Sequence, residues 1–530
     1  MNNEKQASAT YAKNAMVATS QPLAAQIGVD IMKQGGNAID AAIATAASLC
    51  VVEPTTTGIG GDAYAIVWTK DDQIHALNGS GKAPKNLTIE EVKKRGYESM
   101  PKYGVLPITV PGAPSAWVEL SKRFGNLPFE TVMQPAIDLA KHGFTLTPGI
   151  AASWKKAYET YKNAWQGEAF TPWFDLFARG KKTPNSGETW SAPEMAKTLS
   201  SIAKTRGESF YNGELAEKIA NYVQKHDGFL TKEDLRDHKA HWVKPLKAHY
   251  KGYDVWEMPP NTQGLIALEA LNIFKHLPMD PKNPFDRFHK QIEAMKAAFA
   301  DGLEYIADND HMKVASADLL SDAYAKIRSR AITDEAHEPK PGSPRQGGTI
   351  YLASADSEGN MVSFIQSNYM GFGSGIVIPD TGIAMQNRGH NFSLDKDHAN
   401  ALAPGKRSFH TIIPGFLSKN QKAVGPFGVM GGFMQPQGHL QVLLNTIDSG
   451  MNPQAALDAP RWMWQKGKRV LVEEHMDEEL VNRLKAKGHD IHYTKTVEHF
   501  GRGQIVWKNR EKNRLEGGSD KRADGIVAGF

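Results

Sequence analysis

Residues 331–375 constrain this chain more than any other stretch, because an element-breaking run turns into a strand at a single residue. Up to Gly348 the sequence AITDEAHEPKPGSPRQGG sets Pro339, Pro341 and Pro344 among Gly342, Gly347 and Gly348. The prolines remove backbone donors and the glycines favour no regular element, so this reads as an exposed connector. From Thr349 onward Ile350 and Leu352, then Val362, Phe364 and Ile365, flank Asp356-Ser357-Glu358-Gly359-Asn360. An acidic, Gly-containing turn between two such runs predicts a β-hairpin. By composition alone, Thr349 is a β-branched residue that opens a strand.

The chain has 530 residues, too many for one simple core, so one large composite domain or two domains are expected. Hydrophobic content of 41% and charged content of 23% describe an ordinary globular protein. A formal charge of +4 with no basic run argues against nucleic acid as a partner. Cys50 is the only cysteine, which excludes an intrachain disulfide and a multi-cysteine metal site. In the run ATAASLCVV it reads as a buried, inert thiol. The first residues, MNNEKQASATYAKNA, lack an apolar signal core, and no segment holds 18 apolar residues in a row, so a cytoplasmic protein without membrane contact is predicted.

In chain order, residues 21–50 predict two helices parted at Gly35-Gly36, the first with Leu23, Ile27 and Ile31 on one face, the second built almost wholly of small residues. The Gly-rich run Thr55-Thr56-Thr57-Gly58-Ile59-Gly60-Gly61-Asp62 leads into a strand over residues 64–68. A phosphate-binding loop leads into a helix, so that reading is rejected. Residues 74–85 pair with this strand, and Pro111-Gly112 turns into an amphipathic helix. Residues 128–330 look mostly helical, with Trp154, Trp165, Trp173 and Phe174 as core or lid packing. A helix is expected over 436–448. His398 and His439 look like loop or surface residues, and no His/Asp spacing suggests a metal site.

Taken together these stretches resemble the γ-glutamyltransferase family, N-terminal-nucleophile hydrolases that cut their own chain before a Thr. The resemblance rests on residues 35–42, Pro111-Gly112, residues 258–264 and the helix around Glu293 and Asp301. It continues through Thr349, Asp356, Gly359-Asn360, Phe372-Gly373-Ser374-Gly375, Thr381-Gly382, Asn387 and Phe392-Ser393, and ends on Ala459-Pro460-Arg461 and Gly517-Gly518-Ser519-Asp520 with Arg522. It implies an α+β fold, a four-layer αββα sandwich with two stacked, mainly antiparallel sheets. It further implies cleavage between Gly348 and Thr349, giving a large chain 1–348 and a small chain 349–530 that form one composite domain as a heterodimer. A dimer of such heterodimers is left open.

The chemistry implied is amide hydrolysis through an acyl-enzyme. A Thr hydroxyl is a weak nucleophile, and after cleavage the base is the residue's own α-amino group, with an unperturbed pKa of about 7.7–8.0. By resemblance Ser367 takes the place of a second Thr that hydrogen-bonds the nucleophile, and Gly431-Gly432 form the oxyanion loop. Read without the resemblance, a Gly-Gly turn between strands is commonplace. No metal or organic cofactor is needed.

The departures cluster at the substrate. Asn391 replaces the Asp that grips an α-ammonium group, with His390 before it where an acid is usual; His410 and Thr411 replace two serines. Tyr369 replaces an Asn, Arg388 a Gln, and Ser80 the Arg that holds an α-carboxylate. Both charge partners of a γ-glutamyl zwitterion are thus absent, a loss of about 2–5 kcal/mol for such a substrate. The expected substrate is a small anionic amide, oxamate-type favoured, with Arg388, His390 and His410 as a compact cationic pocket. The alternatives are a γ-glutamyl hydrolase or transferase acting on glutathione, a glutaryl or cephalosporin-type acylase, and, from another class, a non-catalytic binding relative. Arg388 reads equally well as one half of a structural ion pair.

Overall fold

The predicted hairpin is the centre of the molecule. The computed structural model describes residues 7–280, 283, 285–339 and 348–530. Strand Gly348–Ala355 pairs antiparallel with Met361–Tyr369. Asp356 closes the turn: its Oδ1 accepts from the backbone N–H of Glu358, Gly359 and Asn360, each at 3.0 Å. Its Oδ2 accepts from Asn360 Nδ2 at 2.8 Å and from Ala38 N at 2.9 Å, which ties the turn to the start of helix Ala38–Val52. Gly359 has a φ of +101°, a conformation that an L side chain rarely adopts.

Strand alternation then builds the layers. Ile350, Leu352, Val362 and Phe364 point to the helical side, where they meet helix Ala38–Val52. Every residue of that helix is buried; its small side chains let it lie against the sheet, close enough for Gln366 Nε2 to reach Cys50 Sγ at 3.0 Å. Burial pushes the Cys50 thiol up to about 12, so it is inert. Tyr351, Ala353, Ala355, Met361 and Ile365 point the other way and pack on Phe416, Met430 and Val506 of a second sheet. Behind that sheet lie helices Gly264–Lys275, Asp286–Tyr305 and Met434–Ile447. The result is the αββα sandwich, each sheet seven-stranded and antiparallel among the described residues.

Residues before and after Thr349 contribute strands to both sheets. One sheet sets Met16–Thr19 beside the hairpin and Ile526–Gly529 beyond it; the other sets Thr10–Ala12 at one edge and Tyr253–Glu257 against Gly415–Lys419. The aromatic group packs as core: Trp154, Trp173 and Tyr161 surround Phe372. No described helix is long and apolar enough to cross a membrane.

Three expectations need correction. The span 128–330 also holds strands His241–Val243, Leu246–Tyr250 and Tyr253–Glu257, with Gly252 at a φ of +84° in the turn between the last two. Leu23 is 40% exposed, off the buried face that Ile31 belongs to. His439 is fully buried, its Nδ1 2.6 Å from Glu257 Oε1, because its helix is enclosed on all sides over residues 434–444.

Candidate active site

Thr349 sits on a β-bulge. Gly348 pairs with Tyr369 but Ile350 with Gln366, so Ser367 and Asn368 together oppose Thr349. A bulge re-aims one side chain and ends regular pairing, as bulges beside functional sites do. Thr349 Oγ1 donates to Ser367 Oγ at 3.3 Å, and Ser367 Oγ also accepts from Tyr369 N at 2.7 Å. Both side chains are buried, Thr349 at 2% exposure. They face the gap between the sheets, since they continue the Tyr351 and Ile365 side of their strands.

On the facing sheet, strand Lys422–Met430 ends in Gly431 and Gly432, at φ of +133° and +60°. Only glycine takes such angles freely. Their carbonyls accept from Met434 N and Gln435 N at the start of helix Met434–Ile447, while neither N–H has an acceptor among the described residues. Gln263 Nε2 spans the gap, donating to the carbonyls of Gly432, at 2.8 Å, and Thr411.

Arg388 lies deeper, 1% exposed, in the short helix Arg388–Asn391. Its Nη1 donates to Thr411 Oγ1 at 2.8 Å, and its guanidinium carbon is 4.2 Å from the Tyr369 ring centre. Its Nε and Nη2 are buried with no partner among the described residues. Tyr369 carries a φ of +80°, a strained value for a Tyr, and its hydroxyl donates to Asn391 Oδ1 at 2.6 Å. Asn391 Nδ2 in turn donates to Phe409 O. Ser80 is buried and donates to Asn78 Oδ1 at 2.7 Å. His390 sits at the mouth, Nδ1 on Met100 O, beside a cleft of about 600 Å³ lined by Asn391, Phe392, Phe409 and Phe433.

His410 does not serve as a cation. Its Nε2 meets Asp62 Oδ2 at 3.0 Å and its Nδ1 accepts from Ile412 N at 3.4 Å, which fixes the neutral tautomer. Burial, then the charge of Arg388, holds it well below the usual histidine value. The cationic pocket therefore reduces to Arg388, with His390 outside it.

Sequence reasoning missed Asp62, Asn261 and Gln263. Asp62 opens strand Asp62–Trp68 directly across from Ser367, and its Oδ1 accepts from Gly81 N, Gly112 N and Gln386 Nε2. Asn261 Oδ1 accepts from Asn78 Nδ2 at 3.1 Å while its Nδ2 holds Ser408 O at 2.8 Å. A usable signal existed for Asp62 alone: one acid at an inward position of an otherwise apolar strand start.

Elsewhere, His289, Glu293 and His489 bring ligating atoms within 4.8 Å of one another. Their hydrogen bonds are already assigned. His289 Nε2 donates to Thr333 O at 2.8 Å, so its Nδ1 accepts from His489 Nε2 at 2.9 Å. The Lys296 ammonium sits on Glu293 Oε1 at 2.7 Å. A resident cation on the only carboxylate makes this a structural clamp.

A family profile described as Gamma-glutamyltranspeptidase matches residues 24–530. The chain is 35% identical to the glutathione hydrolase-like YwrD proenzyme of Bacillus subtilis, over 97% of this chain and 98% of that one. It is 32% identical to the oxamate amidohydrolase proenzyme of Klebsiella pneumoniae, over 99% and 100%. Among solved structures it resembles a cephalosporin acylase from Bacillus halodurans with a TM-score of 0.96 and 56% identity, covering 100% of this chain and 98% of that one.

Proposed function

Because the chain belongs to the gamma-glutamyltranspeptidase family, hydrolases with an N-terminal nucleophile, we propose that it is a self-cleaving amidohydrolase for monoamides of short dicarboxylic acids. The observation that carries this reading is Arg388: one buried guanidinium whose Nε and Nη2 have no partner among the described residues. Asp62 is filled by four donors, Asn391 by Tyr369 and Phe409, Ser80 by Asn78. Such a pocket suits an acyl group ending in a carboxylate and offers an α-ammonium group no free carboxylate.

In this reading the first reaction is on the chain itself. Thr349 Oγ adds to the Gly348 carbonyl, the peptide nitrogen leaves as the Thr349 amine, and water hydrolyses the ester. The large chain 1–348 and small chain 349–530 stay together, since each contributes strands to both sheets. Loss of the Gly348–Tyr369 pairing opens the edge above Tyr369, on whose ring Arg388 rests. The free α-amine then takes the Thr349 hydroxyl proton as Oγ attacks the substrate amide, Ser367 keeping the hydroxyl in place. The N–H groups of Gly431 and Gly432 receive the oxyanion. The amine leaves with the proton, and water releases the diacid.

Oxamate is the smallest member of this substrate class, and its leaving group, ammonia, would leave the cleft beside Asn391 empty. Phe409 and Phe433 stack at 5.7 Å in the lining of that cleft, among polar groups such as His390, Asn391 and Asn400, and it has room for a bulkier amine, which favours acylase-type substrates. The likeness to the cephalosporin acylase points the same way. The test uses glutaryl-p-nitroanilide and γ-glutamyl-p-nitroanilide, which differ only in the α-amino group. Purified, cleaved protein is expected to favour the glutaryl amide by at least about tenfold in kcat/KM. Preference for the γ-glutamyl compound sinks the reading, and a chain that folds but stays at full length beside Thr349→Ala sinks the enzyme mechanism.

A further inference from the structure

Asp62 and His410 are buried at the same end of the inter-sheet gap as Arg388, yet no step above uses them. We propose that Asp62 and His410 are positioning residues for Arg388 and together take up one proton when a carboxylate docks on its guanidinium. This rests on the dicarboxylic reading of the site.

The geometry sets up the coupling. Asp62 ties together five segments: its own strand, Gly81, Gly112, Gln386 and His410. It makes no direct ion pair with Arg388, but both members of the pair are bonded to the segments that hold the guanidinium. Arg388 Nη1 donates at 2.8 Å to the hydroxyl of Thr411, the residue after His410, and Gln386, two residues before Arg388, donates to Asp62 Oδ1 at 2.9 Å, so the charge of Arg388 favours the ionised carboxylate. Burial works against it and pushes Asp62 up to about 6. The remaining groups facing the pair are tyrosines and one cation, Arg407. Tyr64 packs edge-on to His410 at 4.9 Å and stays protonated, burial raising its hydroxyl far above the usual value; Tyr369 lies under Arg388. Tyr211 feels Asp62 only as a distant charge, and Arg407 acts on Tyr64 from the next loop.

A ligand carboxylate on Arg388 cancels the one cation that keeps Asp62 ionised. Two anions and one cation then share a dry site, and a proton from solvent restores neutrality. It belongs to the Asp62–His410 pair rather than to either residue. No covalent bond changes other than the one to this proton. Anion affinity therefore falls as pH rises, by up to about tenfold per pH unit above the apparent value of the free pair.

The experiment is calorimetric titration of the cleaved protein with glutarate at pH 6.5, in two buffers of unlike ionisation enthalpy. At that pH the Thr349 amine is already mostly protonated and glutarate mostly ionised, so neither supplies the signal. The wild type is expected to take up upwards of roughly half a proton per glutarate. Asp62→Asn, cleaved as shown by mass, is expected to take up close to none and to bind with little pH dependence. Binding without proton uptake in the wild type overturns the inference, as does unchanged uptake in Asp62→Asn. Should that variant fail to fold, the wild-type count at pH 6.5 decides alone. If neither glutarate nor oxamate binds, the dicarboxylic reading itself fails and this inference with it; binding without uptake leaves that reading standing.

Discussion

Leaving two guanidinium donors of Arg388 buried and unsatisfied costs about 1–3 kcal/mol each, an expense that a ligand carboxylate removes. Arg388→Met is therefore expected to lower kcat/KM for a glutaryl amide on the order of 100-fold while self-cleavage, followed by mass, goes on. Equal turnover in the variant would assign the arginine a structural role. Ser367→Ala removes the hydroxyl that holds Thr349 and should cost about tenfold to 100-fold in kcat, with Ser367→Thr restoring most of it. The Thr349 amine acts as a base, so it works only when deprotonated. kcat should rise with pH through about 7.7–8.0 and then level off, whereas a profile that is flat from pH 6 to 9 argues for another base.

At the scale of elements, the hairpin was readable because its apolar alternation and its Asp356-to-Asn360 turn point to the same answer. Asp356→Ala removes the acceptor for five hydrogen bonds and should destabilise the protein by about 2–4 kcal/mol, read as a lower urea midpoint. The bulge at Thr349 left no trace in the sequence, because register belongs to a pair of strands and not to one of them. The strands between His241 and Glu257 did leave one: Leu246, Ala248 and Tyr250 alternate and Lys251-Gly252 is a turn, yet the runs are too short to stand out among helices. Helix Met434–Ile447 hides His439 for the opposite reason. Enclosed over residues 434–444, it buries its polar row Gln437 and Gln441, bonded to Trp464 O and Trp462 O, as well as its apolar positions, so polarity does not tell inward from outward.

For the molecule as a whole, the clamp of His289, His489, Glu293 and Lys296 joins the helix Asp286–Tyr305, the chain before residue 340 and the segment near Gly488. Burial drives His489 down to about 2 and lowers His289 as well, so both are neutral in the fold but ready to charge once unfolded. A base depressed in this way contributes stability that is present above about pH 6.5 and is lost progressively as pH falls below it, by about 1.4 kcal/mol per pH unit for each proton. The melting temperature should therefore decline below pH 6, and His489→Gln should flatten that decline. An unchanged slope in the variant would place the acid sensitivity elsewhere, at the buried, neutral His410 or at His238, which burial lowers to about 3.

The sequence by itself determined the hairpin, the small-residue helix beneath it and, through its matching motifs, the family; the Pro/Gly part of the expected connector, residues 340–347, lies outside the described residues. Those are local matters, settled by side-chain period, turn chemistry and backbone freedom. Only the tertiary structure decided which polar residues meet. Asp62 lies more than three hundred positions before Arg388 and His410, and no spacing along the chain predicts that burial and the charge of Arg388 keep His410 neutral on the Asp62 carboxylate while two guanidinium nitrogens stay open. Burial and pairing set the charge of a group, and both exist only once the two sheets have closed on each other.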